Sequence, residues 1–205
     1  MVIQDLISIL RGIPAAEFTP AGVQTLLADV NVDTASLERY MFWAPRRYTR
    51  NLIYRDEMFE LIAMCWESGC ASHVHNHSGQ DCWLYVHEGT LCVDSFDLVD
   101  PSQAGRVGDN IVLRKTERLV SVGRGTVDHR GPANDIHRVM NRRAEGKRAI
   151  SLHVYSRPFD DCIIYEPSAR RALHKTMCYD SREGKRCQPV TGTAAGPAIT
   201  VSPLG

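Results

Sequence analysis

His75 and His77 stand one residue apart in the stretch GCASHVHNHSGQDCWLYVHEG, residues 69–89. On an extended strand, positions i and i+2 point to the same face, so both imidazoles can aim at one point. His137, with Asn141 four residues on, lies far downstream. One metal ion held by three imidazoles is the simplest purpose these residues share, because a neutral ring nitrogen is the commonest metal ligand. The chain has eight histidines, and an isolated one is ordinarily a surface or hydrogen-bonded core residue. His73 shares the parity of His75 and His77 and is expected to line the site. His87, His129 and His174 read as structural or surface residues. Cys82 is open between a ligand and a small buried apolar side chain, the common fate of a free cysteine.

A scaffold must bring His137 to the His75/His77 segment, and the pattern of elements says which kind. Ile3, Leu6, Ile7 and Leu10 fall at helical spacing. Thr19-Pro20 reads as an N-cap with proline at the first helical position, and Val23, Leu26, Leu27 and Val30 continue one face. Asp33 or Thr34 can cap a third short helix carrying Leu37, Tyr40 and Met41. From residue 46 the pattern becomes one of short apolar or alternating runs: 48–54, 59–66, 82–87, 91–96, 111–113, 119–122, 136–140, 149–155 and 162–165. Glu88-Gly89-Thr90 suggests a hairpin, and the Gly-, Asp- and Pro-rich stretch 97–110 a loop. Many short strands with turn signals between them predict a sandwich or barrel. One domain over 1–205 is expected: helices packed on the barrel at 1–45, a β core at 46–166, and a partly irregular extension at 167–205 ending in a draped tail.

Lys+Arg and Asp+Glu are both 24, so formal charge is zero and no field strong enough to gather nucleic acid or an anionic membrane is expected. No apolar run approaches the ~20 residues that span a bilayer, and the N-terminus does not read as a signal peptide. Seven cysteines, an odd number with no CxxC pair, point away from a disulfide framework and towards a reducing, cytoplasmic setting.

The first stretch reads G-x5-H-x-H-x4-C-x6-G. The second reads P-x4-H-x3-N at Pro132, His137 and Asn141. This resembles the two-motif pattern of the cupins, a mainly β, double-stranded β-helix or jelly-roll family with a metal in the mouth of the barrel. The second motif departs in having Asn134 and Thr126 where glycines are usual. Cys82 stands where most metal cupins have a ligating glutamate. Three neutral ligands would leave a divalent ion its full charge and open positions, which suits an entering thiolate.

Further stretches narrow the resemblance. YTRNLI at 48–53, CWESG at 65–69, HNH at 75–77, IHRVMN at 136–141 and SLHVYSRPFDDC at 151–162 resemble the cysteine dioxygenase family, non-haem iron enzymes that oxidise a thiol to a sulfinic acid. The resemblance implies that His75, His77 and His137 bind Fe(II), that Arg50 pairs with a substrate carboxylate, and that Tyr48 lines the pocket. It also implies an active-site Tyr155, oriented through His153 and Ser151, and a Cys82–Tyr155 thioether cross-link. Strand parity agrees, since Ser151, His153 and Tyr155 share one face. A guanidinium fork matches a carboxylate and stays charged at all relevant pH. The family usually has Ser-Pro-Pro after the tyrosine, with a cis bond, where this chain has Ser156-Arg157-Pro158. A cis bond before Arg157 would cost ~2.5–4 kcal/mol against ~0.5–1 before proline, so a trans bond is expected, with Arg157 at the pocket rim.

The implied reaction is oxidation of L-cysteine by O2 to cysteine sulfinic acid, with Fe(II) as cofactor, in a monomer or weak homo-oligomer. Two rivals stand beside it. A dioxygenase for 3-mercaptopropionate or another small thiol usually carries glutamine in place of Arg50. A non-catalytic metal-binding cupin, or a cupin isomerase or hydrolase using Zn, Mn or Ni, would share the metal pattern alone.

Overall fold

The structure, a computed structural model, describes residues 1–122, 124–132, 135–142 and 146–188, with side chains left out at 117–122. Asn134 and the tail from 189 lie outside the described residues. Three helices come first: α1 (Ile3–Gly12), α2 (Pro20–Ala28) and α3 (Thr34–Leu37). The Thr19 hydroxyl accepts from the Gly22 N–H, as its cap position requires. The third helix is shorter than the sequence pattern predicts, because Glu38–Tyr40 tightens into a 3-10 turn.

Fourteen strands follow: β1 (Thr49–Arg55), β2 (Phe59–Trp66), β3 (Val74–His75), β4 (Asp81–Glu88), β5 (Thr90–Leu98), β6 (Gly108–Asp109) and β7 (Leu113–Val122), then β8 (Val127–Arg130), β9 (His137–Met140), β10 (Ala149–Ser156), β11 (Asp161–Glu166), β12 (Arg171–Thr176), β13 (Ser181–Arg182) and β14 (Lys185–Arg186). They form two seven-stranded sheets. One runs β14-β13-β1-β2-β10-β4-β8 and the other β6-β12-β11-β3-β9-β5-β7. No helix among the described residues is long and apolar enough to cross a membrane.

Residue parity sorts side chains into an outward set and an interior set. Phe59, Leu61 and Ala63 of β2, Trp83 and Tyr85 of β4, and Leu152 and Val154 of β10 point outward and pack against Ile3, Leu6, Leu10, Val23, Leu27 and Leu37 of the helical section. Full burial of each such aliphatic side chain contributes roughly 1.5–3 kcal/mol. Two of the outward aromatics are also tied by hydrogen bonds, Trp83 Nε1–H to the Pro20 carbonyl and the Tyr85 hydroxyl to the Val30 carbonyl. Ile62, Met64, Trp66, Leu84, Val86, Leu91, Val93 and Val139 fill the interior between the sheets. Because β2 is buried on both faces, its sequence shows no polar alternation.

Four expectations need correction. The segment 88–90 is no hairpin: β4 pairs with β10 and β8, whereas β5 pairs with β7 and β9. Gly89 is the corner at which the chain changes sheets, with φ +78. Residues 113–122 make one continuous strand, the polar run 114–118 in its sequence having hidden the period. Residues 127–130 form β8, a short strand that carries too few apolar residues to announce itself. The region after 167 is also more regular than expected. β12 pairs with β11 along its whole length, and β13 runs parallel to β1. These late strands are polar and exposed on one side, so their sequence carries no core signal.

Candidate metal and substrate site

β3 is only two residues long, with Ile164 and His137 as the partners of His75 on either side. His77 lies two residues past that strand, where the Asn76 N–H still pairs with the Ile163 carbonyl and the His77 carbonyl opens the turn by accepting from the Gln80 N–H. The three rings meet all the same. Their centroids lie 5.1 Å apart for His75–His77, 4.7 Å for His75–His137 and 4.8 Å for His77–His137. One ligand atom from each lies within 4.8 Å of the others, and no carboxylate belongs to the group among the described residues.

Burial disfavours the protonated form of each ring, most strongly at His77 and His137, and it lowers His75 to about 4. All three are therefore neutral, with a lone pair to offer. The His73 carbonyl accepts from His75 Nδ1–H at 2.9 Å, which leaves Nε2 of His75 free to ligate. Both nitrogens of His77, and Nδ1 of His137, are buried without a hydrogen-bond partner among the described residues. Buried polar atoms of this kind are rarely left unsatisfied, and a metal ion would engage one nitrogen of each ring. His73 is outside the cluster and only half-buried. Cys82 lies on β4 in the opposite sheet and is not among the converging atoms.

The other predicted residues come from that opposite sheet. Ser151, His153 and Tyr155 form one linked row. Trp66 Nε1–H donates to Ser151 Oγ at 2.9 Å, Ser151 Oγ meets His153 Nε2 at 2.9 Å, and His153 Nδ1 meets the Tyr155 hydroxyl at 3.3 Å. Burial, with the Arg50 charge adding to it, drops His153 to about 3, so the ring is neutral and passes a hydrogen bond at each nitrogen. Cys82 and Tyr155 are directly paired across β4 and β10, and Cys82 Sγ lies 4.0 Å from His153 Nδ1. Burial pushes both the Cys82 thiol and the Tyr155 phenol up, so both are protonated. The Tyr155 ring lies between the two ends of the site: its centroid is 5.8 Å from the His77 ring and 5.9 Å from Arg50 Cζ. Tyr48 is partly buried and stacks on Trp66 at 4.8 Å. Arg157 has a trans peptide bond, φ +61 and an exposed side chain that makes no hydrogen bond to the site among the described residues.

Sequence reasoning missed several participants. Phe159 packs edge-on against Tyr155 and His77, at 5.2 and 6.2 Å between ring centroids. Glu60 and Tyr179 stand behind Arg50, and Asp180 fixes the Arg50 backbone by accepting from its N–H at 2.9 Å. An acidic residue inside the otherwise apolar run 59–66 was the available signal for Glu60. Nothing comparable marked Tyr179 or Asp180, which reach the site through the pairing of β13 with β1.

Two packed sheets of this topology, with three histidines converging between them, define a cupin whose site could hold a metal. The family model described as "Cysteine dioxygenase type I" matches residues 2–168. The chain belongs to that family, and it is a dioxygenase. Among curated relatives, cysteine dioxygenase type 1 of Rattus norvegicus is 30% identical over 184 residues, covering 89% of this chain and 88% of its own length. The Homo sapiens protein of the same name is 29% identical over 189 residues, covering 91% and 90%. Among solved structures, a Klebsiella pneumoniae protein with a double-stranded β-helix domain aligns with a TM-score of 0.44 at 13% identity, over 64% of this chain and 95% of that one. A Thermus thermophilus protein aligns at 0.41 and 23% identity, over 62% and 98%.

Proposed function

We propose that the chain is an Fe(II)-dependent thiol dioxygenase that oxidises L-cysteine with O2 to cysteine sulfinic acid. The observation that carries this reading is a cluster of three neutral imidazoles, His77 and His137 buried and His75 partly so, with no carboxylate among the described residues, facing an interior that also holds the buried guanidinium of Arg50. His75, His77 and His137 would hold the iron. When bound, the ion supplies a site for the thiolate and the redox chemistry by which O2 reacts with sulfur. In the balanced reaction the sulfur is oxidised, both oxygen atoms go to it, and no external reductant is needed.

The protein's own residues bind and orient. Arg50 accepts the substrate carboxylate, whose bidentate shape a guanidinium matches. Tyr155 stands between that end and the histidines, and its hydroxyl is held by His153, itself anchored through Ser151 to Trp66. It can therefore donate a hydrogen bond to an oxygen that gains charge during the reaction. Tyr48, Trp66 and Phe159 form apolar walls that exclude water. Cys82 and Tyr155, paired across two strands, are the partners of a thioether: a bond forms between Sγ and the ring carbon beside the hydroxyl, and O2 takes up the two hydrogens released.

The helices α1–α3 share a core with the first sheet, which supports reading 1–205 as one cupin unit. The seven cysteines are free thiols, in keeping with a reducing cytoplasmic setting.

The test is anaerobic loading with ferrous iron, followed by O2 uptake and sulfinate measured on L-cysteine, 3-mercaptopropionate and cysteamine. Sulfinate equal to the O2 consumed, with L-cysteine the preferred substrate, is expected. A fully iron-loaded protein that makes no sulfinate from any of the three would overturn the reading.

A further inference from the structure

The substrate end of the site contains an anion of its own. On β2, Glu60 shares the inward parity of Ile62, Met64 and Trp66 and lies directly opposite Tyr155 of β10. Its side chain is 2% exposed. Oε1 accepts from Arg50 Nη2 at 3.5 Å. Oε2 accepts from the Tyr179 hydroxyl at 2.5 Å and faces Arg55 Nη1 at 3.4 Å. Arg55 also donates to Tyr179 Oη at 3.1 Å and pairs with Asp160 at 2.7 Å, so the far side of Glu60 is braced by two residues that are tied to each other. Arg50 is buried, and its Nε has no hydrogen-bond partner among the described residues.

Two consequences follow from this arrangement. One amino group of Arg50 is engaged from behind, which leaves the Nε–H as a donor free for a ligand. Part of the Arg50 charge is also offset before any ligand arrives, so an incoming carboxylate competes with an internal one for the same cation.

We propose that Glu60, braced by Tyr179 and Arg55, is a positioning residue that orients Arg50 and sets how strongly a thiol bearing a carboxylate is preferred over one without it. The inference rests on Arg50 as the carboxylate partner. It adds that the preference is moderated from behind by a counter-ion carried on a different strand. A merely structural ion pair would move stability and leave the relative affinity for the two kinds of thiol unchanged.

The experiment measures dissociation constants for L-cysteine and cysteamine by calorimetry on the anaerobic, iron-loaded protein and its variants. Glu60→Gln keeps the side-chain shape and an acceptor for Arg50 while removing the charge. L-Cysteine should then bind at least about threefold more tightly, with cysteamine changing less than about twofold. Glu60→Asp, which withdraws the charge by one methylene, should shift the ratio the same way and less, and it decides the matter should Glu60→Gln not fold. On an Arg50→Gln background, Glu60→Gln should leave the ratio unmoved. Affinities for the two thiols that move together, or do not move, would overturn the proposal. Admitting O2 to the same samples separates the two readings. Tight, Glu60-dependent binding without sulfinate removes the proposed reaction and leaves this role standing, while sulfinate with an unmoved ratio does the reverse.

Discussion

His75 on β3 and His137 on β9 are direct cross-strand partners, the one residue pair that joins those two strands in register. The candidate metal centre is therefore built across the antiparallel run of 69–75 along 137–141, which the Ala71–Met140 bridge and the Ser72 N–H to Val139 carbonyl bond continue. His137→Ala should reduce iron retention by more than the ~10–100-fold that loss of a residue merely orienting a ligand costs. Metal analysis after dialysis checks this. Full iron content in a folded variant would contradict the ligand assignment.

Arg50 is the cation at the far end of the site. Arg50→Gln removes a charged donor whose hydrogen bonds to a carboxylate are worth ~1.5–3 kcal/mol. The KM for L-cysteine should rise ~10–100-fold, since each 1.4 kcal/mol is tenfold, while the KM for cysteamine changes little. Steady-state O2 uptake on the two thiols measures the split.

Cys82 and Tyr155 face each other across β4 and β10. Peptide mapping of protein that has turned over should find a joined Cys82–Tyr155 peptide, lighter by two hydrogens than its parts. Cys82→Ser should abolish it while iron retention persists, because Cys82 is not among the converging ligand atoms. Recovery of unlinked peptides alone from the parent protein would remove the thioether from the account.

Gly89 turns the corner between the sheets. A Cβ there would lie 2.6 Å from the Arg148 carbonyl oxygen and 2.8 Å from Ala149 Cβ, at φ +78. Gly89→Ala should cost ~1–2 kcal/mol for the left-handed backbone, with ~1–3 more for overpacking. Urea denaturation would report the sum as a lowered midpoint.

Asp94 is a buried carboxylate 2.8 Å from Lys115 Nζ and 2.7 Å from Arg138 Nη2. Burial pushes its pKa up, but the two cations outweigh burial and hold it below the usual value. A carboxylate with a depressed folded pKa contributes stability that is complete above the unfolded value of about 3.9 and fades as pH falls through the folded one. Asp94→Asn should therefore be clearly less stable than the parent at pH 7, with the gap closing below about pH 4. A gap that persists unchanged in acid would assign the loss to packing.

The amino-acid order alone determined the helix starts, the central strands β1, β2, β4 and β10 of the first sheet and the identity of the three imidazoles. These features are local: a Thr-Pro cap, an eight-residue apolar run, an HxH pair. Parity along 151–155 likewise placed Ser151, His153 and Tyr155 on one face before any fold was in view. Only the tertiary structure decided what depends on pairing between distant segments. It showed that 88–90 is a corner between the sheets. It also showed that the polar strand β12 extends one sheet while β13 and β14 extend the other and bring Tyr179 and Asp180 to Arg50. The reason is physical. Burial periodicity reports which side of a strand is covered, but not which strand covers it, and a short polar strand gains its order from backbone hydrogen bonds that any sequence can make.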